Sequence, residues 1–550
     1  MDSIQNDKAA SQYDVVIIGA GVTGLHQLYC VRQLGLSVRA YDCAGGVGGT
    51  WYWNRYPGCC FDSESHTYAY AFSEELLQEW DWKHLYSKQP DTERYLNYVA
   101  DKFDLRRDIQ LNTMVEEASW AEDEHKWHLR LSTGEHVEAR YVIAAVGILP
   151  VTANYIPDFP GIDTFTGLAL HTSRWPQEGI DFEGKRAAVI GTGSTGVQLI
   201  PHVAAEAAQL TVFQRTPTYC GPLHNQEVTP EMQQQWKATY DEIFEQCRQS
   251  PAGFLYEYDP RPTLEVPKEE RIALYEKLWA RPGFEKWLGN FFDITLDADA
   301  NEDFAKFVRD KIRARIKDPA VAEKLVPTDH PFGTKRIPME TDYYETYNRD
   351  NVLLVDVRET PIVEITPTGI RTSDQEYEFD VIIFATGFDA FTGGLTHMNI
   401  RGENGVTFKE AFAEGPRTLL GMMTSDFPNF FTAVPRAFCN FPRCAEVVVD
   451  WITDCLKYLE ANGTTKIAPS PQAEIAWGEH VDEMANELLL VKSNVPSWFN
   501  GGNIPGKKVQ FLLYANTLPG FREKVQEVAD KGYEGFVMER LETSSSVSVG

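Results

Sequence analysis

The chain is short of cysteine, of long apolar runs and of positive charge. Its nine cysteines among 550 residues include the adjacent Cys59 and Cys60, and no C-x-x-C pair occurs. That excludes the paired redox motif of a flavin-linked disulfide reductase and predicts free thiols in a reducing compartment. There is no run of about 20 apolar residues, so no transmembrane helix is expected. Residues 1–13 are polar and lack an apolar signal core, which predicts a cytoplasmic setting. The Ser/Val/Gly tail at 544–550 is expected to fray. Fifty-one Lys and Arg face 80 Asp and Glu, a net charge of −29. That balance excludes nucleic acid and anionic membrane as main partners. No metal site is expected, and oligomeric state is not readable.

What is present is a dinucleotide-binding fingerprint, twice. The first runs Val15-Val16-Ile17-Ile18-Gly19-Ala20-Gly21-Val22-Thr23-Gly24 and reaches Asp42. The second runs Ala187-Ala188-Val189-Ile190-Gly191-Thr192-Gly193-Ser194-Thr195-Gly196 and reaches Arg215. Each has an apolar strand, a G-x-G-x-x-G turn and a helix-compatible segment. The first glycine makes the bend, the second admits a pyrophosphate, and the third lets the helix pack on the strand. Asp42 suits free ribose hydroxyls and repels a 2′-phosphate; Arg215 does the reverse. One site therefore suits FAD and the other NADPH. A single such turn is weak evidence, but two complete copies are not coincidence.

The predicted architecture is α/β: two interleaved Rossmann-like dinucleotide-binding domains with a mostly helical insertion. Strands at 15–19 and 38–42 bracket an apolar helix at 25–34, and a further strand spans 141–147. The second βαβ unit spans 186–215. A buried-strand signal at 381–387 lies far from both, so the domains interleave. The FAD-binding domain is expected at 1–150 and 388–550, the NADPH-binding domain at 151–225 and 327–387, and the insertion at 226–326. Within the insertion, Thr229-Pro230 reads as a helix start. Trp236, Tyr240, Ile243, Phe244 and Cys247 recur at helical spacing, as do Ile272, Tyr275 and Trp279. Phe304, Phe307, Val308, Ile312 and Ile316 form a third core-facing stripe.

Two segments between these landmarks carry chemistry. In 48–62 a glycine cluster allows backbone to press on a flat cofactor. Tyr52 and Tyr56 read as core, whereas Asp62 needs a partner if buried. In 165–176, Phe165 and Trp175 read as packing, and a lone histidine such as His171 is more often structural than catalytic. Lys335-Arg336 alone would read as a solvated surface pair.

The two segments resemble the two long fingerprints of type I Baeyer–Villiger monooxygenases. Gly48, Gly49, Trp51, Tyr56, Pro57, Gly58 and Asp62 match the first, and Phe165, Gly167, His171, Trp175 and Pro176 match the second. Gly333-Thr334-Lys335-Arg336-Ile337-Pro338 resembles the segment that ends in the family's active-site arginine. The resemblance implies that Arg336 and Asp62 are catalytic. It implies FAD contacts at Gly19, Gly21, Thr23, Gly24, Asp42, Gly49, Thr50, Trp51, Asp62, Tyr68 and Val115. It implies NADPH contacts at Gly191, Thr192, Gly193, Ser194, Thr195, Gly196, Gln198, Arg215, Thr216, Lys335, Arg336 and Trp498, the last on a mobile loop. Phe438, Cys439 and Asn440 then line the ketone pocket. Ala433-Val434 and Arg436 depart from the Gly-Pro-rich start usual in that loop; they stiffen it and add charge.

By the same resemblance, NADPH reduces the flavin, which captures O2 as a C(4a)-peroxyflavin. A fixed cation keeps the peroxide anionic for attack on a ketone carbonyl, giving an ester or lactone. Two alternatives stay open: a flavin monooxygenase acting on amines or sulfides, and a non-catalytic flavoprotein sensor. The natural ketone is not readable, with cyclic ketones mildly preferred.

Overall fold

Each glycine-rich turn follows a strand that has a parallel neighbour on both sides. A computed structural model describes residues 10–541; the 544–550 tail and most of the polar start lie outside the described residues. In the first sheet, Ser11–Ile18 lies between Val38–Tyr41 and His136–Ala144, parallel to both, with Ile17 beside Ala40 and Ile143. Val15, Val16 and Ile17 are fully buried. A strand covered on both faces reads as a continuous apolar run, the pattern these residues show. Val115–Ala121 and Lys126–Leu131 extend the sheet as antiparallel strands. Late in the chain, Asn399–Arg401 and Phe430–Thr432 return to the same sheet.

The second sheet is parallel throughout. Its order is Val352–Asp356, Gln209–Gln214, Arg186–Ile190, Val381–Phe384 and Leu168–His171. The chain therefore leaves the first sheet, builds the second, and returns. Helices Val22–Gln33 and Ser194–Glu206 follow the two fingerprint strands. The long helix Phe441–Asn462 packs on the first of them, with Gln27 Nε2 donating to Thr453 Oγ1 at 3.1 Å. It ends at Gly463, whose φ of 62° supplies a left-handed cap.

Between the two halves of the second sheet lie helices Pro230–Ala238, Tyr240–Gln249, Lys268–Trp279, Ala298–Arg313 and Pro319–Leu325. The Thr229 side chain caps the first, accepting from Met232 N. The stripe expected from Trp236 to Cys247 is two helices, broken at Thr239 (φ −130°, ψ 19°). Trp236, Tyr240, Phe244 and Cys247 are still all buried, because both helices press the same side onto the core. Among the described residues no helix is long and apolar enough to cross a membrane.

Candidate functional site

The two turns have the same internal geometry. Gly19 and Gly191 sit at φ +110° and +108°, where a side chain is strained. A Cβ at Gly24 would lie 2.0 Å from Gly19 O, and one at Gly196 would lie 2.3 Å from Gly191 O. These third glycines pack behind their turns, set back from the cavity lining. A Cβ at Gly193 meets nothing within 4 Å, and that residue lines the cavity. The helix N-termini at Val22 and Ser194 border the same space, ready for phosphate.

That space is a cavity of about 910 Å³ between the two sheets. Every other sequence-assigned contact lines it. On the first-sheet side, Asp42 is buried; Oδ2 accepts from Ala20 N (2.7 Å) and Oδ1 from Ala44 N (2.8 Å). Burial pushes its carboxyl up, and the two amides oppose that shift. Asp42 thus braces the turn while each oxygen keeps a lone pair for a ribose hydroxyl. The Thr23 hydroxyl is buried without a partner, an orphaned polar atom at the mouth of the helix. Gly49 backs closely onto Gly21, and Thr50 starts a helical turn. Trp51 Nε1 donates to Tyr68 OH at 3.0 Å, and Phe61 stacks on Tyr68. Val115 completes this wall. Bent glycine backbone, helix N-termini and a flat aromatic wall fit a flavin dinucleotide.

Asp62 and Arg336 meet across the cavity. Arg336 Nη2 donates to Asp62 Oδ2 at 2.7 Å, and Nη1 donates to Ser194 Oγ at 3.1 Å. The Asp62 side chain is 1% exposed and that of Arg336 30%. Burial pushes the Asp62 carboxyl up; the Arg336 charge and hydrogen bond oppose it. Ser194, expected as an NADPH contact, also supports Arg336. The Phe284 ring lies 5.6 Å from the guanidinium carbon.

On the second-sheet side, Arg215 and Lys335 line the cavity together. Burial first, then the neighbouring Arg215 charge, lowers Lys335, while the charge of Asp329 raises it. Two cations set against each other fit a phosphate. Thr192 Oγ1 donates to Thr216 O at 3.0 Å, joining the turn to the next strand's end. Gln198 also lines the cavity, but its amide is engaged: it accepts from Tyr56 OH and donates to Cys60 O, bridging the two sheets' loops. Trp498 stacks on Phe391 at 5.5 Å.

The remaining wall is apolar. Phe438 packs edge-on against Trp287 (5.4 Å) and Phe499 (5.3 Å). Asn440 borders the cavity, but its amide donates to Thr67 Oγ1 at 2.9 Å. Cys439 lies beside Cys444, their Cα atoms 6.3 Å apart. Arg436 does not charge the cavity: it is 7% exposed and packs its stem over Gly421. His171 is structural. Its Nδ1 bonds Ser173 Oγ and its Nε2 bonds Gly387 O, and burial pushes it down to about 4. Tyr52, read as core, is only partly buried and receives Gln177 Nε2. Sequence reading missed Phe254, Phe284, Trp287, Phe441 and Leu513 on the wall. Phe284 and Trp287 stand in an aromatic stretch just after Gly283 without helical periodicity, while Phe254, Phe441 and Leu513 carried no local signal.

The flavin-binding monooxygenase-like family matches residues 12–221. The 2-oxo-Delta(3)-4,5,5-trimethylcyclopentenylacetyl-CoA monooxygenase of Pseudomonas putida is 44% identical over 97% of this chain and 99% of its own. A Baeyer–Villiger monooxygenase of Pseudooceanicola batsensis is 42% identical over 96% of this chain and 97% of its own. A crystal structure of OTEMO in complex with FAD and NADP superimposes with a TM-score of 0.92 at 43% identity, covering 96% of this chain and all of that one. By fold, site and full-length likeness, the chain belongs to the Baeyer–Villiger branch of the flavin-dependent monooxygenases.

Proposed function

We propose that this chain converts a ketone, O2, NADPH and a proton into an ester or lactone, NADP⁺ and water. The observation that carries this reading is the Arg336–Asp62 pair facing a cavity bounded by both glycine-rich turns. Bound FAD, reduced by NADPH, supplies the electrons that activate O2. The chain's own residues bind, orient and set charge.

The FAD contacts are Gly19, Gly21, Thr23, Asp42, Gly49, Thr50, Trp51, Tyr68 and Val115, with Gly24 acting through packing. The NADPH contacts are Gly191, Thr192, Gly193, Ser194, Thr195, Arg215, Thr216, Lys335 and Trp498, with Gly196 and Gln198 acting through the backbone they support. The domain limits at 1–150 with 388–550, 151–225 with 327–387, and 226–326 follow the strand order of the two sheets.

Arg336 is a permanent cation, since guanidinium does not lose its proton near neutral pH. It stabilises negative charge that develops on oxygen as the carbonyl is attacked, and it donates no proton that would quench a nucleophile. Asp62 fixes its direction through a charge-assisted hydrogen bond. The apolar wall of Phe284, Trp287 and Phe438 favours an uncharged ketone and excludes water. A cytoplasmic setting supplies NADPH.

The test is a panel of cyclic, linear and aromatic ketones, scored by NADPH oxidation and by mass spectrometry of products. Ketone-stimulated oxidation with one added oxygen atom in the product is expected. Flavin-free protein, or NADPH oxidation indifferent to every ketone with no ester formed, would overturn the proposal.

A further inference from the structure

Lys286 is an anomaly in an acidic chain. It follows Glu285 in a short, charged stretch that reads as solvent-facing, yet it is 2% exposed. Its ammonium donates to three backbone carbonyls: Pro222 O at 2.8 Å, Arg281 O at 2.8 Å and Gly283 O at 2.7 Å. Those three bonds use all its protons. Burial of such a charge is unfavourable unless it is fully hydrogen-bonded, and here it is.

The surroundings are cut to admit this side chain. A Cβ at Gly221 would lie 2.5 Å from Lys286 Cδ. Gly221 and Pro222 pair in parallel with Met339 and Glu340, and Gly221 N donates to Pro338 O at 3.1 Å. Leu223 N donates to Glu340 O, and Gly283 N donates to Leu223 O. Lys286 thus clamps the 281–287 turn to the short ladder that begins just after Arg336.

The same turn carries Phe284, 8% exposed, whose ring faces the Arg336 guanidinium at 5.6 Å. Phe284 is braced edge-on by Phe254 (5.6 Å) and Trp287 (6.0 Å). Arg336 is therefore held by Asp62, by Ser194 and by an aromatic face. Only the third depends on a turn from the insertion.

We infer that Lys286 is a positioning residue for oxygen insertion: by clamping the 281–287 turn it seats Phe284 against Arg336 and fixes the guanidinium over the ketone wall. Burial pushes the Lys286 amine down to about 7, with the charges of Glu285, Glu340 and Asp62 opposing, and its protonated form lowers the Asp62 carboxyl in turn. A neutral side chain at 286 leaves three carbonyls without their donor and frees the turn to withdraw the ring. The inference rests on the Baeyer–Villiger reading above. Ester formation by the unaltered enzyme tests that reading, and the ratio of variant to unaltered enzyme tests this one.

The experiment measures ester formed and hydrogen peroxide released per NADPH, on flavin-loaded Lys286→Met, Phe284→Leu and the double variant. Each single variant is expected to lower ester per NADPH by about tenfold, with peroxide making up the difference, since a desolvated cation–π contact is of that size. The double variant should lose no more than either single one, because both act through one contact. A clamp that merely stabilises the fold would lower the melting temperature and flavin content but leave the ester-to-peroxide ratio of the loaded fraction unchanged. That ratio, unchanged in Lys286→Met or in Phe284→Leu, overturns the inference; so does a fully additive double variant. If Lys286→Met does not fold, Gly221→Ala reads the same ratio by crowding the lysine stem without removing its charge. A normal ratio in Gly221→Ala with a displaced Lys286 would equally overturn it.

Discussion

Arg336 Nη2 and Asp62 Oδ2 lie 2.7 Å apart although 274 positions separate them in the chain. The bond joins the segment after the first glycine-rich turn to the segment before the ladder at Met339–Glu340, so it closes only when both sheets are in place. The two residues have different tasks. Arg336→Ala should leave NADPH-driven flavin reduction near its normal rate and lower ester formation by about 10²–10³-fold, the usual effect of deleting one preorganised charge donor. Asp62→Ala should be worse for stability as well. Asp62 is fully enclosed, and its loss leaves a guanidinium without its anion. Stopped-flow reduction, ester yield and melting temperature, measured on both variants, separate these outcomes.

Arg215 and Lys335 predict cofactor choice. Arg215 is exposed and lines the cavity, so removing it should not disturb the core. Arg215→Ala should raise KM for NADPH by about 10- to 100-fold, the loss of one charge-assisted contact, and leave KM for NADH nearly unchanged. The melting temperature should stay within a degree or two of the unaltered protein, as for a surface substitution. Equal loss with both nucleotides would place Arg215 away from the 2′-phosphate.

The second turn separates a glycine that binds from a glycine that packs. At Gly193 an added methyl meets open space on the cavity side. Gly193→Ala should fold normally and bind NADPH more weakly, because the methyl occupies ground meant for pyrophosphate. At Gly196 the added methyl lies 2.3 Å from Gly191 O, a backbone atom that has nowhere to go. Gly196→Ala should lower the melting temperature by several degrees, as forced overpacking costs about 1–3 kcal/mol. Thermal melts and NADPH titrations on the two variants test the contrast.

These turns were legible because their chemistry is local. A strand, three spaced glycines and a helix need no knowledge of distant residues, and the charges of Asp42 and Arg215 follow within one βαβ unit. The Arg336–Asp62 pair was different. Nothing in spacing joins positions so far apart, and only the resemblance of two segments to known fingerprints put them in one site. Where a residue's meaning depends on direction, sequence reading failed. Arg436 looked like charge added to the ketone loop, yet its stem lies over Gly421 and the cavity does not receive it. Cys439 was read as a pocket residue by itself, yet the loop turns back onto the first turn of the helix from Phe441 and sets it beside Cys444. Lys286 carried no signal in the sequence, because its burial depends on a gap left by Gly221, 65 positions earlier.

Buried histidines weaken the fold as pH falls. Burial pushes His26 and His66 down to about 3 and His171 to about 4, from an ordinary value of 6.5. A histidine depressed in the folded chain binds its proton more readily when unfolded. Its contribution to stability is fully present above pH 6.5 and is lost as pH falls from 6.5 toward 3–4, by about 1.4 kcal/mol per unit for each group. Buried carboxyls such as Asp450, raised to about 6, act in the opposite sense over part of the same range, so the raw acid profile mixes the two. His66 separates them. Its ring stacks on Trp236 at 4.2 Å and its Nδ1 has no partner, so phenylalanine keeps the stack and gives up no hydrogen bond there. His66→Phe should melt close to the unaltered enzyme at pH 7.5 and above it at pH 5, with the gap widening as pH drops. Melting curves of the flavin-loaded proteins at pH 7.5, 6 and 5 measure the difference directly. A gap that stays constant with pH would mean that His66 is protonated in the folded chain.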